Sequence, residues 1–362
     1  MPFKDSRVGL EFAGRPIESH FSLGHDHHAV GHFGETAEVF VQDYVERAIR
    51  SVLAQGHEDC ELIVVDDGSV DASWEVINGT GVTAYRIENS RQRKARLYGL
   101  DKTSAPFVLF LDADDELLPG ALETIIPQLK ASVAKLQFCL RRIDGDNNPL
   151  HSVVPEPATV NALGNLRERV LKTGVYASPP TSGNVFRRDV CELLRDADYD
   201  DAVDGVIILA APFFGDVIAL PAELGLYRVH ARNMSGVGRE IDARQIESDM
   251  ARFRDRLDHL KVILAQRSES AELDCERTFF YAEKKFILSV INQNDNKYRN
   301  CIKLTILTCK EYFTPKQKYI LILFYMLTAI IPNYLAKRLI DIRYRPERRN
   351  IAAIAKALLA HT

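Results

Sequence analysis

Glu61-Leu-Ile-Val-Val-Asp66-Asp67-Gly68-Ser69 and Phe107-Val-Leu-Phe-Leu-Asp112-Ala-Asp114-Asp115 share one pattern, an apolar run that ends in aspartates. A short apolar run bounded by turn formers reads as a strand buried on both faces, as strands of parallel sheets are. Each run then presents carboxylates at its C-terminal end, the edge where open α/β sheets bind ligands. A helical segment and a further strand fit between the two runs, so several carboxylates can gather in one crevice. Such a cluster suits a divalent cation and the polar face of a nucleotide.

The flanking sequence supplies the rest of an α/β domain. Val45, Ala48, Ile49, Val52 and Leu53 recur at helical spacing and predict an amphipathic helix, with Asp43 and Glu46 spaced as an N-terminal capping box. A helix is expected around Ser73–Asn78 and a strand at Val82–Ile87. Ser90–Leu100 reads as a basic helix carrying Arg91, Arg93, Lys94 and Arg96. A helix from Pro119 to about Lys130 and a strand at Lys135–Ile143 follow. Strands alternating with helices of this length predict a doubly wound, mostly parallel sheet with flanking helices. Beyond a polar stretch at 144–160, a helix is expected near Leu163–Thr173, then the turn-rich loop Ser178-Pro-Pro-Thr-Ser-Gly183-Asn184. Acids crowd Asp196, Asp198, Asp200, Asp201 and Asp204 just before an apolar helix, Gly205–Phe214. A strand pair over 216–229 would deliver His230 to the same edge.

Composition bounds the function. The chain has 362 residues, 46% of them hydrophobic, enough for one large α/β domain and an appendage. A net charge of −4 implies no bulk affinity for nucleic acid. The six cysteines show no CxxC or other metal-ligand spacing and read as reduced, mostly buried thiols. No apolar signal-peptide core opens the chain, so a cytoplasmic location is expected. His20, His25, His27, His28 and His32 crowd the N-terminus but match no closed metal site.

From about residue 237 the character changes to charged, helix-periodic sequence without strand signals. Tyr319–Ala336 runs uncharged between Lys316/Lys318 and Lys337/Arg338, in a region (301–362) with 11 Lys and Arg against 3 acids. That run is short for a spanning helix, which needs roughly 20 apolar residues, and it contains Pro332. An interfacial helix on anionic lipid, a core helix and a spanning helix are the three readings, the first favoured by the basic flanks.

Five segments in order resemble glycosyltransferase family 2 with the GT-A fold. They are Tyr44-Val-Glu-Arg-Ala-Ile-Arg-Ser-Val-Leu-Ala-Gln55; Glu61–Ser69 with Asp71; Asn89 through Ala95-Arg96 and Gly99, leading to Asp112-Ala-Asp114-Asp115; Ser182-Gly183-Asn184-Val-Phe-Arg187-Arg188; and Tyr227-Arg228-Val-His230-Ala-Arg-Asn233-Met-Ser235. The resemblance covers roughly 40–236. It implies a GT-A domain at 40–236, an atypical segment at 1–39 and a helical, basic region at 237–362.

The same resemblance implies inverting transfer of a sugar from a nucleotide-sugar donor, commonly a UDP-sugar, to a glycan or lipid-linked acceptor in cell-surface polysaccharide synthesis. Asp112, Asp114 and His230 are the expected metal ligands, for Mn²⁺ or Mg²⁺. Asp66, Asp67, Arg96 and Asp112 are the expected nucleotide contacts. Asp204, with Asp201 as the alternative, takes the place of the catalytic base. The C-terminal segment at about 315–349 is expected to touch the cytoplasmic face of a membrane. One departure stands out: family members open with an apolar strand ending in Pro-x-Tyr-Asn, whereas the aligned stretch here is Gly31-His-Phe-Gly-Glu-Thr-Ala37-Glu38-Val39-Phe40. That motivates the alternative of a catalytically silent GT-A scaffold. A nucleotidyltransferase is disfavoured, because no Gly-rich basic loop follows a first strand.

Overall fold

The two aspartate runs end two of four neighbouring parallel strands. In the computed structural model, which describes residues 8–14, 34–158, 164–199, 205–229, 242–269, 271–294 and 296–344, these are β1 (Val8–Gly14), β2 (Cys60–Asp66), β3 (Thr83–Arg86) and β4 (Phe107–Asp112). β1 lies between β2 and β4, with Gly14 opposite Asp66 and Ala13 opposite Asp112. The two acidic strand ends therefore flank one strand and sit about two strand spacings, ~10 Å, apart. Ile63, Val64 and Val65 of β2 and Val108 to Leu111 of β4 are buried, as expected of strands covered on both faces.

The first strand is thus present, but at Val8–Gly14 rather than in the stretch from Gly31 to Phe40. That later stretch enters α1 (Gly34–Leu53) instead. Asp43 accordingly lies inside the helix and not at its cap. Val45, Ala48, Ile49 and Val52 form the buried stripe; Leu53, the last helical residue, is exposed.

β5 (Glu116–Leu117), β6 (Val133–Asp144), β7 (Pro149–Val154), β8 (Asn184–Arg187) and β9 (Asp216–Val229) complete a nine-stranded sheet in the order β3-β2-β1-β4-β8-β6-β9-β5, with β7 on β6. Only the β3-β2-β1-β4 half is uniformly parallel. β8 inserts antiparallel between β4 and β6, β9 runs parallel to β6, and β5 and β7 pair antiparallel. The strand pair expected over 216–229 is one bulged strand.

Between these strands along the chain come α2 (Ser73–Gly79), α3 (Gln92–Leu100), α4 (Ala121–Ile125), α5 (Leu166–Thr173), α6 (Arg188–Cys191) and α7 (Gly205–Phe214). The helix expected from Pro119 to Lys130 is only α4 and one 3₁₀ turn, since Pro127 lacks the N–H a continuing helix would use.

By internal contacts the chain splits into two units, Met1–Leu166 with Ala177–Val229 and Arg167–Tyr176 with His230–Thr362. The segment Arg167–Tyr176, which includes most of α5, groups with the C-terminal unit. That unit also contains α8 (Ala243–Gln266), α9 (Phe279–Ile291), α10 (Lys297–Lys310), α11 (Pro315–Ile330) and α12 (Asn333–Tyr344). Ile246, Met250, Phe253, Leu257, Leu260 and Leu264 form the buried seam of α8 at helical spacing. Thr314 and Gln317 close a capping box on α11 behind Pro315. Glu283 accepts hydrogen bonds from Tyr325 Oη–H and, at 2.8 Å, from Arg343, so a buried carboxylate is satisfied between α9, α11 and α12. The uncharged run is divided between α11 and α12 at Pro332, and no helix among the described residues is long and apolar enough to cross a membrane.

Candidate active site

The edge formed by the ends of β2 and β4 carries five of the expected site residues. Asp66 is fully buried at the end of β2. Its Oδ1 accepts the Ser69 N–H at 3.2 Å, which closes the turn, and its Oδ2 lies 3.1 Å from Arg86 Nε. Arg86 also donates to the Ser69 carbonyl at 2.6 Å and stacks on Trp74, so the turn after β2 is clamped from β3. Gly68 bends that turn with φ +74°, and a Cβ there would come within 2.8 Å of the Asn89 backbone nitrogen. Glycine is the residue that fits such a close approach.

Asp67, next in line, is also buried. Its Oδ1 accepts both the backbone N–H of Ser90 at 2.7 Å and the Ser90 hydroxyl at 3.0 Å. Burial pushes its carboxyl above the ordinary range, and the hydrogen bonds from Ser90 pull it back.

At the end of β4 the chain turns sharply. The Asp115 N–H donates to the Asp112 carbonyl at 3.0 Å, and carboxylate oxygens of Asp112, Asp114 and Asp115 all come within 4.8 Å of one another. Asp112 and Asp114 are half-buried and Asp115 is buried. No helix starts at Asp115; it is the pillar of the turn. Its Oδ2 accepts the Ser182 hydroxyl at 2.6 Å and its Oδ1 the Arg228 N–H at 2.9 Å. Ser182 Oγ in turn accepts the Asp112 N–H at 3.0 Å, using the hydroxyl as donor and acceptor at once. Burial, then the nearby charges of Asp114 and Asp112, raise the Asp115 carboxyl well above its usual range.

Two arginines hold this turn. Arg96, 2% exposed on α3, donates from Nη2 to Asp112 Oδ1 at 2.6 Å and lies over the Phe110 ring. Expected as a diphosphate contact, it is seen here as the counter-ion of Asp112. Arg228, fully buried on β9, donates from Nε to the Asp114 carbonyl at 2.9 Å, from Nη2 to Glu116 at 2.7 Å and from Nη1 to Asn147 at 2.6 Å, and covers the Tyr44 ring. The loop that brings Ser182 is itself pinned. Lys135 donates to Gln137 and Ser178, Gln137 to the Ala177 carbonyl, and Asn184 to the Pro180 carbonyl.

The edge therefore crowds like charges, offset in part by Arg86 on Asp66 and Arg96 on Asp112. Two buried donors, Arg96 Nη1 and Ser69 Oγ, have no hydrogen-bond partner among the described residues, and buried polar atoms are seldom left so. Hard oxygen donors from Asp112 and Asp114 fit a divalent cation, and the unmet donors fit an anionic group. Asp201, Asp204 and His230, the expected base candidates and third metal ligand, lie outside the described residues, as do the five N-terminal histidines. Ser182, Asp115 and Arg228 were not singled out as site residues from sequence. Arg228 did leave a trace, as an arginine inside an otherwise apolar strand end.

The family model described as Glycosyl transferase family 2 matches residues 37–194. An uncharacterized glycosyltransferase of Nostoc sp. (strain PCC 7120) is 30% identical over 254 residues, covering 67% of this chain and 78% of its own length. TuaG of Bacillus subtilis, a putative teichuronic acid biosynthesis glycosyltransferase by name, is 36% identical over 137 residues, 36% of this chain and 54% of that protein. A Campylobacter jejuni GalNAc(5)-diNAcBac-PP-undecaprenol beta-1,3-glucosyltransferase is 37% identical over 100 residues, and the match spans 26% of this chain and 32% of that protein. Among solved structures, S. aureus TarS 1-349 in complex with UDP-GlcNAc superposes with a TM-score of 0.50 at 13% identity, covering 93% of this chain and 91% of that one.

Proposed function

This chain belongs to glycosyltransferase family 2 and has the GT-A fold, and we propose that it moves a sugar from a nucleotide-sugar donor, a UDP-sugar, to a glycan or lipid-linked acceptor with inversion at the anomeric carbon. The carrying observation is the convergence of Asp112, Asp114 and Asp115 on one turn, one strand away from Asp66 and Asp67. The matched relatives named for teichuronic acid and undecaprenol-linked glycan synthesis support a role in cell-surface or extracellular polysaccharide assembly.

Asp112 and Asp114, with His230, would hold Mn²⁺ or Mg²⁺. When bound, such a cation neutralises the charge that builds on a departing diphosphate. Asp115, which accepts from Ser182 and the Arg228 N–H, fixes the angle of the turn. Arg96 keeps Nη2 on Asp112 and has Nη1 to offer a phosphate oxygen. Asp67 retains acceptor capacity beyond its two bonds from Ser90, enough to take an N–H of the base or a ribose hydroxyl. Asp66, engaged with Ser69 and Arg86, supports the turn from beneath.

An inverting transfer needs a carboxylate to take the acceptor hydroxyl proton. Asp204 immediately precedes α7, and a helix N-terminus favours an ionised carboxylate; Asp201 is the alternative. Asp204→Asn is expected to lower transfer about 10²–10⁴-fold while UDP affinity stays within about twofold. Steady-state rates and UDP titration of Asp204→Asn and Asp201→Asn together decide the assignment, and if only Asp201→Asn behaves so, Asp204 is not the base. The proposal includes peripheral contact with the cytoplasmic face of a membrane through the 315–349 region. A silent scaffold is not favoured, since β1 occupies the strand position whose loss motivated it.

A further inference from the structure

Among the described residues, the C-terminal unit has an exposed apolar face. α11 turns Tyr325, Thr328 and Ala329 inward, yet Ile320, Leu323, Leu327 and Ile330 form a second stripe on its outer side, Leu323 56% and Ile330 72% exposed. α10 adds Ile302, 64% exposed, and Ile306, one turn apart. An apolar groove lies between the two helices, lined from both by Tyr298, Ile302, Ile306, Met326 and Ile330. Contiguous exposed apolar surface of this kind marks an interaction site.

The charges around the face are predominantly positive. Residues 297–344 contain nine Lys and Arg against two acids, Glu311 and Asp341. Arg299 lies in the first turn of α10, Lys310 ends it, Lys316 lies in the first turn of α11, and Lys337 and Arg338 sit on α12, all of them exposed. Exposed tyrosines stand near the helix ends, Tyr298 on α10, Tyr319 on α11 and Tyr334 on α12. Amphipathic rings so placed suit the boundary between headgroups and acyl chains.

We propose that the α10–α11 face rests on the surface of a bilayer containing anionic lipid, with Ile302, Leu323 and Ile330 among the residues that enter it. This deepens the membrane contact proposed above and rests on it, replacing a single amphipathic segment with a two-helix face. A second copy of the chain is the poorer occupant. An isologous contact sets the same patch against itself and would bring one basic set against another, whereas an anionic surface neutralises it.

Flotation of the full chain with phosphatidylcholine vesicles, with and without phosphatidylglycerol, tests this. Binding is expected to be roughly tenfold or more tighter on the anionic vesicles, to weaken with salt, and to fall by at least about tenfold in the double variant Lys316→Gln/Lys337→Gln. Leu323→Glu with Ile330→Glu should abolish it; both side chains are exposed, so the thermal midpoint should hold. Absence of binding, or equal binding to both vesicle types, overturns the proposal. So does a concentration-dependent dimer in sedimentation velocity that Leu323→Glu dissolves. UDP titration of the same glutamate variant separates the two readings: retained UDP binding with lost flotation in the variant supports both, while failure of flotation in the wild type, with UDP bound, sinks only the membrane face.

Discussion

Asp114→Asn is expected to lower sugar transfer about 10²–10³-fold, the size typical of removing one group from a preorganised charge clamp, and to leave the fold unchanged. Asparagine has the same shape, and the Asp114 backbone carbonyl still accepts from Arg228 Nε. Removing the side-chain charge also relieves repulsion on buried Asp115, one of the groups that raise its carboxyl. Stability should therefore move much less than activity, by about 1 kcal/mol or less, as for most single substitutions outside the core. The pair of measurements is a steady-state rate with the productive donor and a urea melt. Near-normal transfer would remove Asp114 from the metal assignment, and loss of both activity and fold would mean the turn was misread.

Arg228→Ala should have the largest effect on stability of any single change at this edge, about 3–5 kcal/mol, the cost of removing one partner from a buried charged pair. The guanidinium is fully buried and satisfies the Asp114 carbonyl, Glu116 and Asn147 at once. Among the described residues, Glu116 would then keep the more exposed Arg47 at 2.9 Å. Arg228→Lys should recover part of this and not all, because an ammonium lacks the planar fork that reaches three acceptors. Urea midpoints of the two variants give the comparison. A loss below about 1 kcal/mol for Arg228→Ala would show that the turn at Asp114–Asp115 is held by something else. Transfer by the folded fraction should also fall, since the carboxylates lose the strand that fixes them.

The two acidic strand ends were legible because burial on both faces leaves an unbroken apolar run and because carboxylates can end such a run only where a strand leaves the core. Helix α1 was legible from its stripe, although its start was not: nothing in Gly34–Phe40 signals a helix more strongly than a loop. β1 escaped notice because Val8-Gly-Leu-Glu-Phe-Ala-Gly14 alternates with glycines and a glutamate, and so lacks the continuous run that marks β2 and β4. β8 is four residues long, too short for a periodicity to declare its antiparallel insertion.

What the sequence could not convey about the site is non-local. Ser182 reaches Asp115 across 67 residues and the Arg228 N–H reaches it across 113. Neither pairing has a spacing rule, because both depend on which strands become neighbours. Arg96 illustrates a different loss: a basic helix face is usually solvated, and only burial against Phe110 turns this arginine into the counter-ion of Asp112. On α11 the uncharged run hid a division of labour, one side packed on Phe286 and Ala336 and the other left open.

Calorimetric titration of the purified chain with UDP, with and without Mn²⁺, tests the central claim most directly. The carboxylate edge predicts binding that strengthens at least about tenfold with Mn²⁺, about 1.4 kcal/mol, and loses that increment in Asp114→Asn. UDP binding indifferent to Mn²⁺, or no binding by a chain shown to be folded, would contradict a metal-dependent donor site at the ends of β2 and β4.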